Sequence, residues 1–143
     1  MGRVDGVRIG DVGGVEYLVP PAPGSTSSLN QWLATRESGS FGFMVRRFVI
    51  KPGGIIEMHR HRFYGFIYVM KGTCTICGRD GRAELGPGGF ALVEANVDHG
   101  FLNLGEGDVE AICVNNYVDD MEVMAAGSGC ADELRSHRER DRE

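Results

Sequence analysis

The 143-residue sequence is poor in several respects: it has one tryptophan, five prolines, four cysteines, and 15 basic residues against 20 acidic ones. Each shortage excludes something. No stretch approaches the ~18 consecutive apolar residues of a membrane-spanning helix, so no membrane partner is expected. A formal charge of −5 presents no basic field, so no nucleic-acid partner is expected either. Arg46, Arg47, Lys51, Arg60 and Arg62 make a local patch and not a binding stripe. The opening Met1-Gly-Arg-Val-Asp-Gly6 lacks the apolar core of a secretory signal, and Gly6 breaks the myristoylation pattern. A cytoplasmic protein with reduced thiols is therefore expected. Few prolines and no Gly-X-Y period exclude a collagen despite 22 glycines.

What is present fits one folded domain, since domains most often run roughly 100–150 residues. A hydrophobic share of 42% with 24% charged residues excludes a wholly disordered chain. The first break is the polar, proline-bearing stretch Pro20 to Ser28, after an edge strand expected over Val15 to Val19. Leu29 to Thr35 fits a helical face and a strand period equally. From Phe41 on, short apolar, β-branched runs alternate with glycine-rich breaks: Phe43–Ile50, Ile55–His61, Phe63–Met70, Thr73–Cys77, Gly89–Glu94, His99–Leu104 and Val109–Tyr117. Short strands at regular spacing, with no helical stretch between them, predict an all-β sandwich or barrel whose turns use the glycines. The expected division is an N-terminal arm with edge strands (1–40), a barrel core (41–120) and a C-terminal tail (121–143). Nine of the last thirteen residues are charged, so the tail reads as a solvated helix or frayed end with His137 facing solvent.

The other three histidines fall in the β region. His59 and His61 are two apart, so a strand projects both imidazoles into the same space, where they can chelate one metal ion. Two spaced blocks surround them. Gly53, five residues, His59-Arg-His61 and a later Gly72 form the first. Gly88, five residues, Glu94, then His99, three residues and Asn103 form the second. Both blocks resemble the two signature motifs of the cupin superfamily, as do the Ile67–Gly72 ending and the Gly86-Pro-Gly turn. The stretch Phe43–Val114, about half of the chain, resembles a small single-domain microbial cupin.

That resemblance implies a double-stranded β-helix, or jelly roll, with His59, His61 and His99 lining one mouth and holding one divalent transition metal. It implies Fe2+ first, with Zn2+, Mn2+ and Ni2+ as alternatives. Cupins normally supply a further Glu or His ligand near position 65 or 66, where this chain has Gly65 and Phe66. The Pro and Gly usual in the second motif are here replaced by Glu94 and Asn96. Three neutral imidazoles leave the charge of the ion uncompensated, which favours anionic, chelating substrates. The function implied is a metal-dependent enzyme acting on a small anionic organic molecule, a dioxygenase before the alternatives. Those are a zinc or manganese isomerase or cyclase and a non-catalytic metal or small-ligand binding module.

Strand parity adds candidates around the histidines. Glu57 shares the parity of His59 and His61, so it is expected inside as a carboxylate ligand or a base, or else at the rim paired with an arginine. One of Arg46 and Arg47 must face inward. Arg46 is the choice to bind a substrate carboxylate, because small cupins often carry an arginine two residues before the aromatic at Phe48; the competing reading is a solvent-facing strand arginine. Arg60 and Arg62 should point away from the metal. Tyr64, Glu94 and Asp98 lie near the ligands in sequence, but parity does not place them. Phe43, Val45, Ile67, Phe101 and Val114 are the expected cavity wall. Phe66, Tyr68 and Met70 alternate with Gly65, Ile67 and Val69, so both faces of that strand are apolar and a homodimer is expected. Cys74 and Cys77 make a poor zinc site, Cys113 reads as core packing, and Cys130 as the accessible thiol.

Overall fold

The structure, a computed structural model, describes residues 2–142. Its chain order is β1 (Gly2–Val4), β2 (Val7–Ile9), β3 (Thr26–Ala34), β4 (Phe43–Arg60), β5 (Gly65–Lys71), β6 (Cys74–Gly78), β7 (Gly81–Leu85), β8 (Phe90–Val93), β9 (His99–Leu102), β10 (Val109–Asn116), β11 (Met124–Ala125) and α1 (Gly129–Asp141). All pairings are antiparallel, and strands β3 to β11 form a nearly closed barrel, the jelly roll expected.

Strand β4 organises the barrel. Two runs were expected on either side of Pro52-Gly53-Gly54, but the backbone continues through as one strand of 18 residues. The break fails because the strand changes partner there instead of ending. Val109 of β10 pairs with Ile50 before it, and Leu102 of β9 pairs with Ile55 after it. Gly53 supplies the left-handed conformation (φ +76°) the crossing needs, and its N–H donates to Asn103 O at 2.9 Å.

Alternation along β4 sorts residues as a strand must. Phe48, Ile50 and Ile56 point inward and pack with Ile67, Val69, Phe101, Val109 and Ala111. Ile55 and Met58 point outward and are covered by α1, where Cys130, Ala131 and Leu134 meet Cys77 and Leu102. The tail is thus a docked helix and not a frayed end. Of Leu29–Thr35, all but Thr35 resolves as strand within β3, and Thr35 caps the 3-10 turn that follows. Val15 to Val19 holds only a single bridge, Leu18 with Asn30, so the expected edge strand does not form. The hairpin β1–β2 and strand β7 were not expected; their alternation, Val7-Arg8-Ile9 and Ala83-Glu84-Leu85, is too short to mark a strand. The inner face of β5 is buried, whereas Phe66, Tyr68 and Met70 lie exposed beside Phe90 and Leu92 of β8.

Candidate metal centre

His59 lies near the end of β4, His61 one residue beyond it, and His99 opens β9 directly opposite His59. Each ring is held by the same device. Nδ1–H donates to a backbone carbonyl: His59 to Glu57 O at 2.7 Å, His61 to Phe63 O at 2.7 Å, and His99 to Val97 O at 2.8 Å. Carbonyls only accept, so the Nδ1 tautomer is fixed and the Nε2 lone pairs are left free. The three ligand atoms lie within 4.8 Å of one another. His61 Nε2 is buried with no partner, an orphan of the kind that a metal satisfies. The His61 ring also stacks on Phe63 at 3.8 Å, almost parallel.

The electrostatics agree. Burial, then the neighbouring His99, pushes His59 down to about 3. Burial pushes His99 down to about 4, and burial also lowers His61. All three are neutral at physiological pH, the state in which imidazole ligates. The donor set fits one divalent transition metal.

The site opens into a cavity of about 600 Å³ that His59, His61, Phe63, Trp32, Met44 and Arg46 line with others. Arg46 is inside, as strand parity required, and Arg47 is outside against Glu110 (3.0 Å) and Gln31 (2.7 Å). Arg46 is only 5% exposed, and among the described residues no carboxylate pairs with it. Its Nε has no partner, and Nη2 reaches only Cys113 Sγ at 3.9 Å. Trp32 and Phe48 flank the guanidinium at 5.9 and 6.0 Å. A buried, unpaired guanidinium beside three neutral imidazoles can pair with an anionic group. Arg60 and Arg62 face outward to Asp98 and Asp120, as expected.

Glu57 is a correction. Its carboxylate is neither a ligand nor a rim partner of an arginine. Oε2 accepts the N–H groups of Met58 (2.7 Å) and Cys130 (3.0 Å), and Oε1 accepts that of Ala131 (3.0 Å). The cause is a β-bulge: Ile56 pairs with Phe101 and His59 with His99, so Glu57 and Met58 together oppose Gly100. Parity counted back from His59 fails across it. Cys130 is the second correction, being fully buried under Gly100 rather than accessible; contact with Cys77, then burial, pushes its thiol pKa up.

The expected wall is the third correction. Phe43 is exposed, Ile67 and Phe101 belong to the core, and none of the five residues named lines the cavity. Met44 could have been found from the parity of Arg46. Trp32 depends on β3, which the sequence left undecided. Asn115 shares the inward parity of Val109, Ala111 and Cys113 on β10, whereas Tyr117, Met121 and Val123 come from the segment after it, where no periodicity marks them. The space beside Gly65 is filled by the Asn115 amide. Asp98 is tied to Arg60 and Arg79, and Tyr64 is exposed.

Residues 46–115 match the family model described as "Cupin domain". Among curated proteins, no sequence matches the chain. Several solved structures share the fold. The polyketide cyclase RemF from Streptomyces resistomycificus superposes with a TM-score of 0.77 at 20% identity, over 85% of this chain and 86% of that one. A cupin-like protein from Thermotoga maritima gives 0.69 at 22% identity, covering 77% and 84%. A sugar phosphate isomerase of the cupin superfamily from Silicibacter pomeroyi gives 0.65 at 20% identity, covering 76% and 74%. No helix among the described residues is long and apolar enough to cross a membrane.

Proposed function

The chain belongs to the cupin superfamily, and from that premise we propose that it is a metal-dependent enzyme acting on a small anionic organic molecule. One observation carries the reading: three neutral histidines bring their ligand atoms within 4.8 Å of one another, and two of them, His59 and His61, stand in the wall of a cavity that also receives a buried arginine with no carboxylate partner among the described residues. His59, His61 and His99 would hold the metal. When bound, it supplies Lewis acidity, or oxygen activation if it is Fe2+. Arg46 binds the carboxylate or enolate of the substrate through its planar fork, and the burial of that fork strengthens the pairing. Trp32, Met44 and Phe63 exclude water from the bound molecule.

Within that class, the dioxygenase reading with Fe2+ comes first. The carboxylate expected to serve as a base for isomerisation, Glu57, is committed to α1. The second reading, a zinc or manganese cyclase or isomerase, draws support from the likeness to a polyketide cyclase and a sugar phosphate isomerase. Elemental analysis of protein purified without added metal should find close to one transition-metal equivalent. Less than about a tenth of an equivalent overturns the enzyme reading in favour of a non-catalytic module. Oxygen uptake by the Fe2+ form with thiols, diketones and catechols supports the dioxygenase. Turnover of these compounds without oxygen supports the cyclase or isomerase.

A further inference from the structure

One polar side chain in the inner wall has no part in the chemistry above. Asn115 is 2% exposed and lines the cavity with His59, His61 and Arg46. It stands directly across the β5–β10 pair from Gly65, so both residues address the same inward face. A Cβ on Gly65 would lie 3.1 Å from Asn115 Nδ2 and 3.7 Å from Val93 Cβ. The space over residue 65 therefore belongs to the carboxamide, and the missing side chain of Gly65 makes the room for it.

The amide is also oriented. Nδ2 donates to Tyr64 O at 3.0 Å, and Oδ1 accepts from Cys113 Sγ at 3.7 Å. A carbonyl cannot donate, so the end facing Tyr64 must be the NH2 group. That sulfur in turn faces Arg46 Nη2, which links the amide to the anion-binding guanidinium. One N–H and one oxygen lone pair of Asn115 remain uncommitted. An acidic residue here would partly neutralise an ion on the three histidines; an amide cannot.

We infer that Asn115 determines specificity: it lines the cavity beside His59, His61 and Arg46 with a neutral amide that adds no charge to offset an ion there, leaving the metal charge to an anionic substrate and a spare N–H to that substrate's oxygen. The inference rests on the metal-dependent reading proposed above, and the test separates the two. Wild type, Asn115→Asp and Asn115→Ala are each titrated with Zn2+ against a competing chelator. The zinc-loaded proteins are then titrated with tropolonate, a planar bidentate anion, by calorimetry. Asn115→Asp should tighten zinc and weaken tropolonate, each by about tenfold or more. Asn115→Ala, which removes the donor but adds no charge, should keep zinc affinity within about threefold and weaken tropolonate about fivefold. Melting curves identify a variant that has not folded, and the remaining variant then decides. An unchanged affinity for zinc or tropolonate in Asn115→Asp, or for tropolonate in Asn115→Ala, overturns the assignment while the metal reading stands. Wild type that binds no zinc overturns both.

Discussion

The three histidines owe their ligand character to what binds Nδ1, and their neutrality to burial. This has a consequence for pH. In the unfolded chain each imidazole titrates near 6.5, whereas in the folded, metal-free protein His59 falls to about 3 and His99 to about 4. Between those values the unfolded state binds more protons, so stability rises with pH there. The contribution is fully present above about pH 6.5 and is lost as pH falls toward 4 and then 3. The melting temperature of metal-free protein should drop steadily from pH 7 to pH 4; a flat profile would contradict the burial of these rings. At Arg46 the expected loss is in binding: Arg46→Met should raise KM about 10- to 100-fold, the cost of about 1.5–3 kcal/mol for a hydrogen-bonded charge, and leave metal content unchanged. His61→Ala should abolish tight metal binding, read by elemental analysis. Much of this site was legible: His59 and His61 by parity, His99 by the resemblance, and Arg46 by the resemblance too, since alternation alone left it open against Arg47. Asn115 was not, because its role comes from facing a glycine across a strand pair, and pairing partners fifty residues apart leave no periodic trace.

Where β4 meets α1, an element boundary governs what the residues beside it can do. The first N–H groups of α1 have no partners within the helix, and Ser128 makes no capping bond to them. Glu57 takes over from another strand, binding Cys130 and Ala131 with a carboxylate that also suits the positive end of the helix. Glu57→Ala should therefore destabilise the fold by about 2–4 kcal/mol in urea unfolding, through buried donors left unpaired, with metal stoichiometry retained. A loss of metal as large as the loss of stability would return Glu57 to the site. Gly100 is the other half of this joint. A Cβ there would lie 2.5 Å from Cys130 Sγ, 2.9 Å from Ile56 O and 3.0 Å from Met58 N. Gly100→Ala should cost about 1–3 kcal/mol. Cys130→Ala in the same chain should recover only part of it, since two of the three clashes are with backbone. The strands with apolar alternation were legible as elements, but the bulge at Glu57–Met58 was not. A bulge shifts the phase of a pattern without changing its composition, and it carried both Glu57 and the helix contact out of reach of parity.

Over the whole molecule, the outer face of β5 and β8 stands out, with Phe66 stacked on Phe90 at 5.9 Å and both exposed beside Tyr68, Met70 and Leu92. A contiguous exposed apolar face of this kind marks an interface. We propose that a second copy of the chain covers it, forming a homodimer. Sedimentation should give twice the chain mass of 15.6 kDa. The double substitution Phe90→Asp and Leu92→Asp should give the single mass with metal content unchanged; a wild-type monomer would end the proposal. The order of strands in the barrel has a further consequence, this one in time. His59 and His61 precede His99 by 40 and 38 residues and Asn115 by more than fifty. At about 5–20 residues per second, a chain made from its N-terminus exposes the first two ligands for seconds before the third exists. β4 has to wait equally long for β9 and β10, the partners of its two halves. An ion caught early would have two donors and no wall, so durable loading belongs to the end of synthesis, when the last strands close the barrel around it.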